Sequence, residues 1–239
     1  MNITQTITIA AVLCLAFGST GLAQHNQDEL KQRVLVLAQS VSPDDYAFTR
    51  TIHSEQISGG NVEKHVNVEK YDPAKPGEGR WAIVSVDGAS PSADELKTFR
   101  TEAAKRRVPG YARLAGYFGT PATASTDARG RTVFHFTALP KETVKVMDTD
   151  LSQSATADAT VSEANGVPFA EQVHITIGLT RLKLLFKMER FESIARYRVG
   201  PEGKPLLMEQ TSDMSGSGMG KEGRAHTVST YSDYRALKR

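Results

Sequence analysis

The chain has 239 residues, 29 of them basic and 27 acidic, and its net charge of +2 is nearly neutral. Acids and bases are interspersed, as in Glu189-Arg190 and Glu202-Gly203-Lys204, so the basic stripe with stacking aromatics that nucleic acid needs is missing. The single cysteine, Cys14, lies in an N-terminal segment that reads as a leader, and its removal excludes disulfides, a thiol nucleophile and any cysteine-ligated metal.

In that leader, Ile7 to Phe17 is apolar but shorter than the roughly 20 residues a membrane span requires. Gly21-Leu22-Ala23 places small residues where a secretory cut needs them, although no Lys or Arg precedes the apolar run. Leu13 stands before Cys14, where lipoprotein processing wants a small residue. The expectation is a signal peptide over 1–23, cleaved after Ala23, and one β-rich domain over 24–239. The mature protein is then periplasmic or secreted, with no transmembrane segment.

From Asp28 to Gln39 the spacing predicts a helix with Leu30, Val34, Leu37 and Ala38 on one side, closed by Pro43. Ala47–Gln56 and Val62–Tyr71 flank Ser58-Gly59-Gly60-Asn61, a hairpin signal because both glycines tolerate positive φ. With Gly59 and Gly60 as the turn, Arg50 faces Glu69 and Glu55 faces Lys64, two opposite-charge cross-strand pairs. His53 and His65 then fall on opposite faces. After a proline-containing loop, Arg80–Asp87 makes a third strand carrying the only tryptophan, Trp81.

Gly88 ends that strand, and a helix follows with Ser90 as N-cap and Pro91 in its first turn, running to about Arg107. Leu96, Phe99 and Ala103 form its apolar stripe, and Lys105-Arg106-Arg107 complement the negative end of its dipole. Tyr111–Phe118 adds one or two further turns.

Strands resume over Thr132–Leu139, Thr143–Thr149, Phe169–Leu179, Arg181–Met188, Phe191–Val199, Pro205–Asp213 and Ala225–Tyr234, with Ser152–Asn165 either a short strand or a covering loop. From Val173 to Tyr234 apolar side chains recur at every second position. Inward candidates are Val173, Ile175, Ile177, Leu182, Leu184, Phe186, Met188, Phe191 and Tyr197. The phase slips by one residue within Glu189-Arg190-Phe191-Glu192-Ser193, the signature of a bulge. Short polar turns such as Gly200-Pro201-Glu202-Gly203 imply an antiparallel meander. The fold class is mainly β (α+β): a strongly curved antiparallel sheet or incomplete β-barrel of about ten strands, with the N-terminal helix and the helical insertion covering its concave face.

This layout resembles the LolA/LolB-like periplasmic lipoprotein-carrier superfamily over most of residues 28–234. The resemblance rests on an opening helix, a hairpin whose aromatic-led strand is Tyr46-Ala47-Phe48-Thr49-Arg50, a strand at Arg80-Trp81 ending in Asp87-Gly88, and a long antiparallel series. It implies an unclosed barrel with a helical lid over an apolar cavity that holds acyl chains of lipoproteins or related lipids, and it places Arg50 where carriers latch the lid. The chain departs from the familiar carriers in its long helical segment Ser92–Phe118, directly after Asp87-Gly88, and in lacking a lipid-attachment cysteine at the mature terminus.

Catalytic signatures fail one by one. Gly216-Ser217-Gly218-Met219-Gly220-Lys221-Glu222 looks like a phosphate loop, but Ser215 stands at the first required glycine and Glu222 replaces the magnesium-binding hydroxyl, so a flexible turn is expected. Ser217 lacks the flanking glycines of a nucleophile elbow. The histidines are scattered without metal-ligand spacing, so no metal site and no cofactor are expected. Glu189, Glu192 and Glu209 read as outward residues paired with Arg190, Arg196 and Arg198 rather than as a catalytic cluster.

The expected function is a non-enzymatic binding or carrier protein for a hydrophobic ligand, lipid or acylated lipoprotein. The alternative is a non-catalytic cell-envelope domain that binds a protein partner. Expected ligand contacts come from the hairpin and third strand (Phe48, Trp81), from the helical insertion (Phe99, Phe118), and from the long strands (Phe134, Phe136, Ile175, Ile177, Leu184, Phe186, Met188, Tyr197), with Arg50 as the lid latch. Aromatics on the covering elements either plug the hollow or form a movable lid over it.

Overall fold

The computed structural model describes residues 18–103, 106–146, 149–183, 186–218 and 221–237. Most of the expected leader and Cys14 lie outside the described residues. Helix α1 (Gly18–Ser40) is followed by β1 (Tyr46–Ser58), β2 (Asn61–Tyr71) and β3 (Trp81–Val86). Next come α2 (Ala93–Ala103) and α3 (Leu114–Phe118), with a single 3-10 turn, Tyr111–Arg113, before α3. The remaining strands are β4 (Thr123–Thr126), β5 (Thr132–Phe136), β6 (Lys145–Val146), β7 (Thr149–Asp150), β8 (Thr156–Ala164), β9 (Val167–Ile177), β10 (Thr180–Lys183), β11 (Phe186–Val199), β12 (Pro205–Gly218) and β13 (Lys221–Ala236).

Among the described residues, 11 strands form one antiparallel sheet in the order β3-β2-β1-β13-β12-β11-β9-β8-β5-β4, with β10 attached to β11; β6 and β7 pair separately. The sheet is open, because its end strands β3 and β4 do not meet. From β4 onward the main sheet follows chain order, as a meander should. The exception is the centre, where β1 lies against β13 over nearly its whole length.

The first hairpin has the register the sequence predicts, with Arg50 opposite Glu69, Glu55 opposite Lys64, and Gly59 and Gly60 at φ 57° and 88° in the turn. The expected bulge is present too: Met188 pairs with Gly216 and Arg190 with Ser215, so Glu189 is the extra residue. The pairing is close there, and a Cβ on Gly216 would come within 2.5 Å of the Lys187 carbonyl oxygen. In the segment that resembles a phosphate loop, Gly216, Ser217 and Gly218 lie in β12 and pair with Gly223, Glu222 and Lys221 of β13, while Met219 and Gly220 lie outside the described residues.

Several boundaries differ from expectation: α1 begins at Gly18 rather than Asp28, and one strand, β11, spans Phe186–Val199 where two were expected to meet. The α2 cap is Ser92, not Ser90, because only Ser92 has an acid three residues on: its N–H donates to Glu95 Oε2 at 2.7 Å, and the Glu95 N–H donates to Ser92 Oγ at 3.3 Å. The helix ends at Ala103 rather than near Arg107, and Arg106 and Arg107 leave its axis to meet Glu69 and Glu142 instead of capping its dipole. The strand expected over Thr143–Thr149 is reduced to β6 and β7, whereas Ser152–Asn165 supplies β8 and the unexpected β4 forms one sheet edge.

Helix α1 buries Val34 and Ala38 completely and packs on α3 and β9. Leu30 and Leu37 are half-buried on the same side. The covered face of the sheet meets these helices in one aromatic-rich core. Phe118 stands edge-on to Phe134 and Phe136, and Phe48 gathers Tyr71, Trp81 and Tyr231 around it. Edge-on and tilted ring pairs of this kind add stability beyond the area they bury.

Candidate functional site

Cross-strand partners share a face, so the inner face can be read row by row. One row runs Asn67, Ile52, Ser229, Gln210, Ala195, Val173, Ala159, Phe134. The next runs Ser54, Thr227, Ser212, Ser193, Ile175, Ala157, Phe136. In both rows the β5, β8 and β9 side is hydrocarbon and the β1, β13 and β12 side carries hydroxyls and amides. The inner wall is therefore half apolar and half polar, not uniformly apolar. Gln210 and Ser212 both donate to Ser193 Oγ, at 3.2 and 3.1 Å, and Ser193 is itself buried. Toward the turn end the rows become Gln56, Ala225, Met214, Phe191, Ile177 and then Ser58, Gly223, Gly216, Met188.

Two cavities lie along this face. The inner one, about 190 Å³, sits between the 109–118 and 143–145 segments and the sheet, and Leu114, Tyr117, Ile175, Phe191, Tyr197 and Gln210 are among its walls. The second, about 580 Å³, is a mouth at the turn end, walled by Leu182, Met188, Met214 and Ala225 around a strip of Gly216, Gly218 and Gly223, with Lys187, Lys221, Glu222 and Arg224 also in its lining. The small residues keep that strip low and wide. Phe191 on the first cavity and Met214 on the second are direct cross-strand partners, so the two adjoin. A larger recess, about 850 Å³, is lined by Glu55, Glu189, Arg190, Asp213, Glu222 and Arg224 among others, a charged surface unsuited to an apolar ligand.

The expected contact residues divide between these walls and the core. Ile175 and Tyr197 border the inner cavity and Met188 borders the mouth. Phe118, Phe134, Phe136 and Ile177 are buried in the core, where the first three pack on one another. Phe48 is enclosed by aromatic neighbours, and Trp81 and Phe99 flank a separate recess between β3 and α2. Leu184 lies outside the described residues, and Phe186 enters only through its backbone pairing with Gly218. Tyr117, one of the covering aromatics expected to plug or lid the hollow, lines the inner cavity, whereas sequence reasoning did not indicate Met214 and Arg113 as wall residues. Met214 continues the alternation of β12, but nothing local indicates that Arg113 stands over a cavity.

No family model and no curated protein matches the chain. Among solved structures it is similar to a LolA superfamily protein from Nitrosomonas europaea, with 12% identity, 87% of this chain and 94% of that chain covered, and a TM-score of 0.32. That superfamily is the one the sequence layout resembles. At this TM-score the two backbones diverge too far for one to stand in for the other, so function has to be drawn from the inner face itself.

Arg50 does not reach the helical segment directly. It bonds Glu69 Oε2, with Nε at 3.1 Å, and lies 4.8 Å over the Trp81 ring. Arg106, beyond α2, donates to the other carboxylate oxygen at 2.8 Å and lies 5.0 Å over Phe99. Glu69 is only 2% exposed, so one buried carboxylate joins the first hairpin to the chain after α2. Such a charge is tolerable in the interior because both of its oxygens are matched by guanidinium donors.

The outer face carries cross-strand histidine–carboxylate pairs: His135 with Asp158 at 2.7 Å, His174 with Glu192 at 2.6 Å, and His226 with Asp213 at 2.6 Å. Ser125 Oγ lies 2.6 Å from His135 Nε2, which completes a serine–histidine–aspartate order. Ser125 and Asp158 are exposed, and the same kind of pair recurs two more times, so this is a hydrated surface pattern. Glu192 also meets Arg190, and Glu209 meets Arg196. Among the described residues no group of three or more His, Cys, Asp or Glu could hold a metal ion. No helix among them is long and apolar enough to cross a membrane.

Proposed function

We propose that the protein is an exported, non-enzymatic binding or carrier protein whose inner face receives the aliphatic chain of a lipid or acylated lipoprotein. The observation that carries this reading is the adjoining pair of inner-face cavities, open at the turn end and walled by Leu182, Met188, Met214, Phe191 and Ile175. An aliphatic chain gains about 0.8 kcal/mol per buried CH₂, so a dozen methylenes contribute on the order of 10 kcal/mol before the costs of association. Methionine suits such a wall, since its unbranched thioether adapts to chains of differing shape. In this reading Phe118, Phe134 and Phe136 close the far end of the groove, and Arg50, acting through Glu69 and Arg106, holds the 93–118 segment over it. Residues 1–23 are the leader and 24–239 the working domain.

Native mass spectrometry of the protein purified from its own cell envelope tests this. Co-purifying lipid of defined mass, released by organic solvent, is the expected result. Repeated recovery of a lipid-free protein bound instead to another polypeptide would replace the carrier reading with that of an envelope interaction domain.

A further inference from the structure

The seven tyrosines all lie in or against the core, and their hydroxyls separate into two groups, that of Tyr231 being met by Arg50. The hydroxyls of Tyr46, Tyr71 and Tyr234 donate to Glu202, Asp44 and the Leu207 carbonyl, and that of Tyr111 accepts from the Ala170 N–H. Tyr117 and Tyr197 are as buried, at 6% and 7% exposure, yet among the described residues neither hydroxyl has a hydrogen-bond partner. A buried phenol normally finds one, because leaving it unmade is costly. Both side chains line the inner cavity. Neither hydroxyl is sealed in protein, since the one fully enclosed and unmatched side-chain atom among the described residues is Asn67 Oδ1.

Arg113 lies on the same cavity. Its side chain is exposed at the cavity's edge, and its charge reaches the phenols of Tyr117, Tyr197 and Tyr231. It makes no ion pair among the described residues, and its Nη2 donates to the Thr143 carbonyl at 3.2 Å, leaving further N–H groups uncommitted. Lys145, also on the wall, is engaged by Glu142 at 3.0 Å. No Asp or Glu lines the cavity among the described residues. Burial raises the pKa of both phenols, so they stay protonated and act as donors.

The geometry points to a receptor for the carboxylate head of a single-chain aliphatic acid, held by Arg113 and the Tyr117 and Tyr197 hydroxyls, with its chain leading along the inner face to the mouth. This deepens the reading of the groove as an aliphatic-chain site and rests on it. A planar guanidinium and two neutral O–H donors suit a monoanionic carboxylate. A volume of 190 Å³ equals about six waters, room for a head and its first carbons but not for a chain. The remaining carbons must therefore pass Phe191 and Met214 into the wider space beyond.

Calorimetric titration of the whole, lipid-stripped protein with dodecanoate and with dodecanol tests this at pH 8. Dodecanoate should bind about tenfold or more tightly than dodecanol, because only the anion makes charge-assisted bonds. Tyr197→Phe and Arg113→Gln should each weaken dodecanoate binding more than dodecanol binding, so that the ratio falls toward one. Tyr197→Phe preserves the ring, and the wild-type ratio decides the matter even if Arg113→Gln fails to fold. Equal affinities in the wild type overturn the carboxylate site and leave the aliphatic-chain reading standing. Failure of both probes to bind removes both.

Discussion

Arg106 Nη1 donates to Glu69 Oε1 at 2.8 Å across 37 residues of sequence, while Arg50, directly opposite on β1, holds the other oxygen of the same carboxylate. Removing the acid would strand two guanidinium groups, one of them mostly buried. Glu69→Ala should cost about 2–4 kcal/mol by chemical denaturation. Trypsin should then cut the native protein after Arg106 or Arg107 faster than it cuts wild type. Unchanged cleavage would show that other contacts hold this segment in place.

Met214 is half-buried on the mouth of the groove and is surrounded by Phe191 and Ala225 across the strands. Met214→Glu places a charge in the path proposed for an aliphatic chain. Lipid recovery in native mass spectrometry should fall at least tenfold, with stability lowered by about 1 kcal/mol or less, the range for substitutions outside the packed core.

Ser92 caps α2 reciprocally with Glu95, whose carboxyl is held below its ordinary pKa first by the Ser92 hydroxyl and then by its N–H. Ser92→Ala should destabilise the helix by about 1 kcal/mol and speed amide exchange over residues 93–103. Ser90→Ala, at the position favoured by sequence alone, should do neither.

Gly216 faces Met188 at the bulge, where any Cβ would meet the Lys187 carbonyl. Gly216→Ala should therefore cost about 1–3 kcal/mol through forced separation of β11 and β12. Thermal unfolding measures this directly, and a loss below the lower bound would mean that the bulge relaxes without strain.

His65 Nδ1 lies 3.0 Å from Asp87 Oδ2, and its pKa is raised first by that hydrogen bond and then by the aspartate's charge. A raised folded-state value stabilises the protein fully below the unfolded value near 6.5, and this contribution is lost as pH rises through the folded value. NMR titration should place His65 above 6.5, and Asp87→Asn should bring it back toward that value. The stability difference between the two proteins should shrink as pH climbs through this range.

The parts of the fold legible in sequence were those governed by local chemistry. Two glycines at a turn fixed the β1–β2 register to the residue, and a one-step slip in apolar phase confined the bulge to Glu189–Ser193, where the pairing makes Glu189 the extra residue. The proline beside Ser90 points to that serine as the cap, but only Ser92 has a reciprocal acid, Glu95, three residues on. The pairing of β1 with β13 has no local mark, since either strand's alternation fits many neighbours. The candidate site was legible only in part for the same reason. Alternation showed which side chains face inward, but whether Phe136 plugs the hollow or Ile175 lines it depends on how far α3 descends into the sheet. Arg113 comes to share a cavity with Tyr117 and Tyr197 entirely through tertiary packing.

The seam between β1 and β13 also sets the order of assembly. The first strand formed during synthesis has its permanent neighbour on one side within a few residues, but on the other side only after the last strand arrives. Such distant pairing carries a large loop-closure cost and places the domain among slowly maturing β proteins, on the millisecond-to-second scale or longer. Until then the open flank of β1 is an unprotected edge, the kind of exposed ladder on which misassembly starts.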